Sequence, residues 1–252
     1  MTRLQNTRKQ AVRGLTLIEL VVVLAILVAL VGLVLAFFPG LLGRASRSTS
    51  ASSIQDIARA VQINYNTQLS YGSGYDSLLN AGGATLYSNL TATAASQLTR
   101  ATLTGTDAAA LSALGVNNIY HLTSTSTDAT FNVTQTGSPV AVVANVPVAT
   151  ITNTNVQNTV RGNYSVQGTG VYVVLGVNKA ASIVGGNSIL QDAPVRAGAD
   201  ANENPTTSYQ RYGLVFLIDG TSTRTARFLG AVAFGSAGIT TAEGNLQQYY
   251  GN

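Results

Sequence analysis

Cysteine and tryptophan are both absent from the 252 residues. Without thiols there is no disulfide framework, no thiolate zinc site and no cysteine nucleophile. Histidine occurs once, as His121. A Ser–His–Asp triad would have to use that ring, and no G-x-S-x-G turn accompanies it. A lone histidine is more often a packed or surface side chain than a catalyst. The phosphate-cradling pattern G-x-x-x-x-G-K-[ST] is also missing, so the 25 glycines are assigned to turns. No basic stripe alternates with aromatics, which argues against a nucleic-acid groove. These absences together predict a protein that is not an enzyme and has no resident cofactor.

Charge is the other scarcity. Asp, Glu, Lys and Arg make up 10% of the chain, against about 25% in an average globular protein. Thr, Ser, Asn and Gly take their place, giving a surface wetted by hydroxyls and amides, as suits an extracellular protein. The net charge of +4 is concentrated at one end. Arg3, Arg8, Lys9 and Arg13 are four of the fourteen basic residues. The ten that remain face ten acidic ones, so the rest of the chain is neutral.

What the chain does have is a long apolar run. Leu15–Phe38 reads LTLIELVVVLAILVALVGLVLAFF, and from Leu20 to Phe38 there is no polar side chain. As a helix these 24 residues extend about 36 Å, enough for a hydrocarbon core of about 30 Å. The basic residues before the run place its start on the cytoplasmic side and the bulk of the chain outside. A plain anchor explains this much. A secretory signal cut near Gly43-Arg44-Ala45 fits less well, because such signals need only about 7–15 apolar residues. Neither reading explains Glu19, a carboxylate in a segment where charge is expensive, nor Gly14 at the head of the run.

The order Arg13-Gly14-Leu15-Thr16-Leu17-Ile18-Glu19, followed by unbroken apolar sequence, resembles the N-terminal signal of type IV prepilins and type II secretion pseudopilins. In that family a leader peptidase cuts after the glycine and methylates the new N-terminus, and the apolar helix is retained. The resemblance implies cleavage between Gly14 and Leu15. It also implies pairing of Glu19, the fifth mature residue, with the freed amine of Leu15 in a neighbouring subunit. Two departures are present: Leu15 stands where phenylalanine is commoner, and Pro39 lies a few residues later than the usual helix-kinking proline. The resemblance covers about the first 40 residues. It further implies self-association into a helical filament, with prepilin peptidase, an assembly ATPase and a membrane platform as partners. The subunit would wait in a prokaryotic inner (cytoplasmic) membrane before joining an extracellular or periplasmic filament. The alternatives are a non-polymerising membrane-anchored adhesin or binding module, and a minor pilin at the filament tip.

Beyond the run, Pro39-Gly40 reads as an interruption or a kink. Ile54, Ile57, Ala58, Val61, Tyr65 and Leu69 then follow helical i, i+3, i+4 spacing to about Ser70, with Gln55, Asp56, Arg59, Gln62 and Asn66 largely off the stripe. Tyr71-Gly72-Ser73-Gly74 ends it. Asp76 is a candidate cap for a short helix through Leu79, and Thr106 or Asp107 for another over Ala108–Leu114, closed by Gly115. Residues 91–104 carry a weak helical signal. Strands are predicted at Thr130–Thr134, Val140–Thr150, Val171–Val177, Leu214–Ile218 and Arg227–Phe234, the last two joined through Asp219-Gly220. The fold class is therefore α+β: a long N-terminal helix packed on an antiparallel sheet, which the pilin resemblance also implies. The expected organisation is a cleaved leader at 1–14, a membrane or filament-core helix at 15–38, an amphipathic helix at 39–70 and an exported head at 71–252.

One loop suggests a metal. Asp200, Asn202 and Asn204 alternate, Glu203 lies among them and Asp192 is close in sequence. Oxygens at alternate positions of a loop suit calcium, which takes 6–8 oxygen ligands. Pro205 and Arg211 stand where an EF-hand requires Gly and Glu, so the pattern is not an EF-hand. Some pseudopilins hold calcium late in the head. The blander reading is a polar surface loop.

Overall fold

The computed structural model describes residues 17–122, 139–162, 170–186, 188–196, 208–219 and 225–250, with backbone alone at 36–42 and 248–250. The predicted leader 1–14 and the strand at 130–134 lie outside those residues. The chain divides into two compact units, Met1–Leu42 and Gly43–Asn252.

Helix α1 is Leu17–Gln68. It is not interrupted at Pro39-Gly40, although the missing Pro39 N–H leaves the Leu35 carbonyl without its helical donor. In the second unit the sequence stripe does what its spacing requires. Ile54, Ile57 and Val61 are buried, and Ala58 and Tyr65 pack against the same cluster. Gln55, Asp56, Arg59, Gln62 and Asn66 are exposed. Leu69 departs from the stripe: it lies past the helix end with φ 53° and is exposed. The buried Asn64 closes this end by donating from Nδ2 to the Ser70 carbonyl at 2.8 Å.

The rest of the second unit is built on one sheet. Its strands are β1 (Tyr75–Asn80), β2 (Leu98–Thr102), β3 (Asn118–Leu122), β4 (Val140–Ala141), β5 (Pro147–Ile151), β6 (Val171–Gly176), β7 (Tyr212–Ile218), β8 (Ala226–Gly235) and β9 (Gly238–Thr240). The main path runs β4-β3-β1-β6-β7-β8-β9, and β5 also pairs with β6 and carries β2 on its other side. The pairs are antiparallel except β1 with β3, which is parallel. The sheet is thus mixed rather than wholly antiparallel.

All seven residues of β7, YGLVFLI, are buried. A continuous apolar run marks a strand covered on both faces. Leu214, Phe216 and Ile218 join the core beneath α1, while Val215 and Leu217 join a second core on the opposite face. The first core also takes Leu111 from helix α3 (Gly105–Ala113), and the second takes Ala94 from helix α2 (Ala92–Ser96) and Val156 from helix α4 (Thr154–Arg161). Helix α5 is Ala242–Tyr250.

Several expectations change here. Asp76 does not cap a helix, because residues 75–80 are strand β1. Residues 91–104 divide between α2 and the strand β2. The cap of α3 is Thr104, two residues before Thr106. Its hydroxyl accepts from Asp107 N, and Asp107 Oδ2 accepts from Thr104 N at 3.1 Å, a reciprocal capping box. Gly115, at φ +87°, closes that helix as the sequence predicts; a Cβ there would overlap the Ser70 hydroxyl. The predicted strand 140–150 is two strands, separated by a turn at residues 142–146 where Asn145 has φ 68°. The β7–β8 connection is a hairpin with a loop longer than two residues, entered by Asp219 N–H donating to the Thr225 carbonyl.

Candidate functional site

The first unit presents one feature that the folded chain leaves exposed. Each residue from Leu17 to Leu35 is exposed, and this is the one described helix long and apolar enough to cross a membrane. Nineteen residues rise about 28 Å. A helix that is apolar on every side and covered on none requires lipid or other helices around it. Within it the single charged side chain is Glu19, in the first turn of α1, where a carboxylate faces the positive end of the helix dipole. Gly14 and Leu15 lie outside the described residues.

The second unit holds two buried polar groups that sequence reading did not find. The first is centred on Asp76, which has no exposed surface. Asn178 Nδ2 donates to its Oδ1 at 2.6 Å, and the Tyr209 hydroxyl donates to its Oδ2 at 2.9 Å. Arg211 Nη1 lies 4.0 Å from Oδ2, close enough for charge attraction and too far for a hydrogen bond. Burial, and next the Asp76 carboxylate, push the Tyr209 phenol well above its ordinary value, and Arg211 opposes them. Gly176 makes room: a Cβ there would overlap the Tyr209 hydroxyl. The partners come from positions 102 and 133 residues away. No local pattern announces them.

The second group is Ser77 with His121. Ser77 Oγ lies 2.8 Å from Nδ1 of the imidazole, and both residues are buried. Burial lowers the His121 pKa below its ordinary value. A serine beside a histidine is two thirds of a hydrolytic triad. This serine, however, is fully buried, and the neighbouring Asp76 carboxylate is bound by Asn178 and Tyr209.

Among the described residues, no three His, Cys, Asp or Glu side chains are grouped to hold a metal. Asp192 is exposed, with the Lys179 ammonium 3.8 Å from its carboxylate. Asp200, Asn202 and Glu203 lie outside the described residues. An open cleft lined by Ile54, Ala58, Val160, Leu229 and Glu243 shows no cluster of reactive side chains.

No family model matches this chain, and neither a curated protein nor a solved structure is similar to it. The α+β arrangement and the exposed apolar helix are therefore established from this chain alone.

Proposed function

We propose that the chain is a structural subunit of a type IV pilus-like filament or of a type II secretion pseudopilus. The observation that carries this reading is Glu19, alone among the charged side chains in the exposed helix Leu17–Leu35 and preceded by Arg13-Gly14. A carboxylate costs about 3 kcal/mol at the centre of a bilayer on insertion scales and less toward the helix end, where Glu19 lies. A partner ammonium about 4 Å away returns about 4 kcal/mol at an effective dielectric constant of 20. Pairing offsets the cost and selects one axial stagger between helices, the best-attested use of a buried charge.

In this reading a prepilin peptidase cuts after Gly14 and frees the Leu15 amine. The subunit waits in the cytoplasmic membrane with its head outside. An assembly ATPase and a membrane platform then transfer the helix from lipid into a bundle of its own kind, where packing replaces lipid contacts. The chain performs no catalysis. Calcium held by Asp192, Asp200, Asn202 and Glu203 belongs to the same proposal, in competition with Lys179 for Asp192. Calorimetric titration with Ca²⁺ tests it, and no heat of binding rejects it.

The deciding experiment is intact-mass and N-terminal peptide analysis from the native membrane. A chain that begins at methylated Leu15 supports the proposal. One that retains Met1 and the basic leader favours a plain anchored adhesin. Glu19→Ala is expected to reduce filament assembly severalfold while leader cleavage continues; unchanged assembly would remove the pairing role. Abundance in sheared filaments separates a major subunit from a minor tip pilin.

A further inference from the structure

Strand β2 is one open edge of the sheet. It pairs with β5 alone, from Leu98 opposite Ile151 to Thr102 opposite Pro147. At the two ends of this ladder, Thr152 N–H donates to the Gln97 carbonyl and Leu103 N–H to the Val146 carbonyl. Backbone groups alternate in direction along an antiparallel strand. Those of Gln97, Thr99, Ala101 and Leu103 therefore face β5, and those of Leu98, Arg100 and Thr102 face away from the sheet. Thr99, Arg100 and Thr102 are exposed. The strand carries no proline and no bulge, two of the devices that blunt an edge.

Strand β8 is open at the other end of the run β2-β5-β6-β7-β8. Strand β9 pairs only with Ala233, Phe234 and Gly235. Residues 226–231 therefore have β7 on one side and, among the described residues, no strand on the other. Val215 pairs with Gly230 and Phe216 with Phe228, so Leu229 is the extra residue of a bulge. The open cleft lies here, about 210 Å³ in volume and lined by Leu229, Gly230 and Ala231 together with Ile54 of α1 and Val160 of α4. A Cβ on Gly230 would meet nothing within 4 Å. The β8 edge is thus reached from solvent. Glu243, exposed in the first turn of α5, is the one charged side chain that lines the cleft.

We propose that these two edges meet between copies of the chain: β2 of one copy adds as an extra strand along residues 226–231 of β8 in the next. The contact rests on the filament-subunit reading and names the head surfaces that reading would use. An open strand edge is a row of N–H and C=O groups, and an extended segment is the chemistry that satisfies it. Charge selects β8 as the place where β2 binds. A two-fold pairing of β2 with β2 centred on Arg100 would set that arginine against its own copy, and like charges directly opposite are destabilising. The β8 edge offers the Glu243 carboxylate instead. Arg100 Nε is engaged by the Gly83 carbonyl at 2.7 Å, and a guanidinium has four further N–H donors. The two edges are different surfaces, so the contact is heterologous. A copy that gives its β2 keeps a free β8 edge, and the contact repeats from copy to copy as a filament requires.

The test uses the full-length chain in its native membrane, with sheared filaments measured against subunit left in the membrane. Arg100→Glu and Glu243→Arg are each expected to lower filament yield severalfold. The two together in one chain should restore it, because neighbouring copies again meet with opposite charges. A merely structural defect at either site would not be rescued. Thr102→Pro removes an outward N–H that β5 does not use and should lower the yield as well. If Arg100→Glu unfolds the head by losing its bond to Gly83, the exposed Glu243→Arg and a cross-link decide. The chain has no cysteine, so Thr99→Cys in one tagged copy and Arg227→Cys in another react only between copies. A short bismaleimide should give the mixed dimer in filaments in excess of either homodimer. Single variants that assemble normally, a double variant that is not rescued, or filaments without the mixed dimer would overturn the edge contact and leave the subunit reading standing. No wild-type filaments, with a chain that retains Met1, would overturn the subunit reading and this contact with it.

Discussion

Asp76 shows how much one side chain can hold in this head. It accepts from Asn178 and Tyr209 and lies beside Arg211, and each of these groups is buried. Removing the carboxylate would leave a guanidinium, a phenol and an amide in the core with one partner fewer. Breaking a buried charge pair in this way typically costs 3–5 kcal/mol. Asp76→Ala is expected to lower the melting temperature by about 6–20 °C, taking 2–4 °C per kcal/mol for a chain of this size. Asp76→Asn keeps an acceptor and should cost less; equal losses for the two variants would show that the charge is not what matters. Glu19 is the opposite case at the same scale. Its importance is visible from the sequence because its surroundings are uniformly apolar, whereas Asp76 looks like an ordinary strand or cap residue until Tyr209 is brought to it.

At the scale of elements, local chemistry was decisive where it was self-contained. Helix α3 has its cap, its N3 acid and its closing glycine within about a dozen residues. Thr104→Ala should cost about 1 kcal/mol, measured by urea unfolding with an unchanged m-value. The β7 run is legible for the same reason, since a strand buried on both faces must be apolar throughout; β8 is continuously buried only over residues 231–235. Strand β1 is the instructive failure. Its Tyr-Asp-Ser-Leu-Leu-Asn sequence lacks the alternation of a strand because a bulge with Leu78 at φ 59° places Leu78 and Leu79 in one core. At that irregularity Ser77 meets His121 across 44 residues of sequence. Pro39 marks a different limit. It removes one hydrogen bond from α1, and the remaining bonds of a 52-residue helix carry the element through it.

For the whole molecule, the sheet and its two cores lie within Gly43–Asn252. A fragment spanning 43–252 should therefore fold in water without detergent and keep the near-UV circular dichroism of the full chain, whereas the full chain should require detergent or lipid for its exposed helix. An aggregated fragment would show that the first unit contributes to the fold of the second. The sequence by itself determined the apolar helix with its one carboxylate, the amphipathic stripe of α1, the α+β class and the central strands. Each of these is periodic or compositional and is complete within a short window. The tertiary structure alone decided the parallel pairing of β1 with β3, the bulge, the Asp76 network and the Ser77–His121 contact. These depend on polar groups far apart in the chain, each of which must find a partner once water is excluded, and no short window of sequence contains both halves of such a pair.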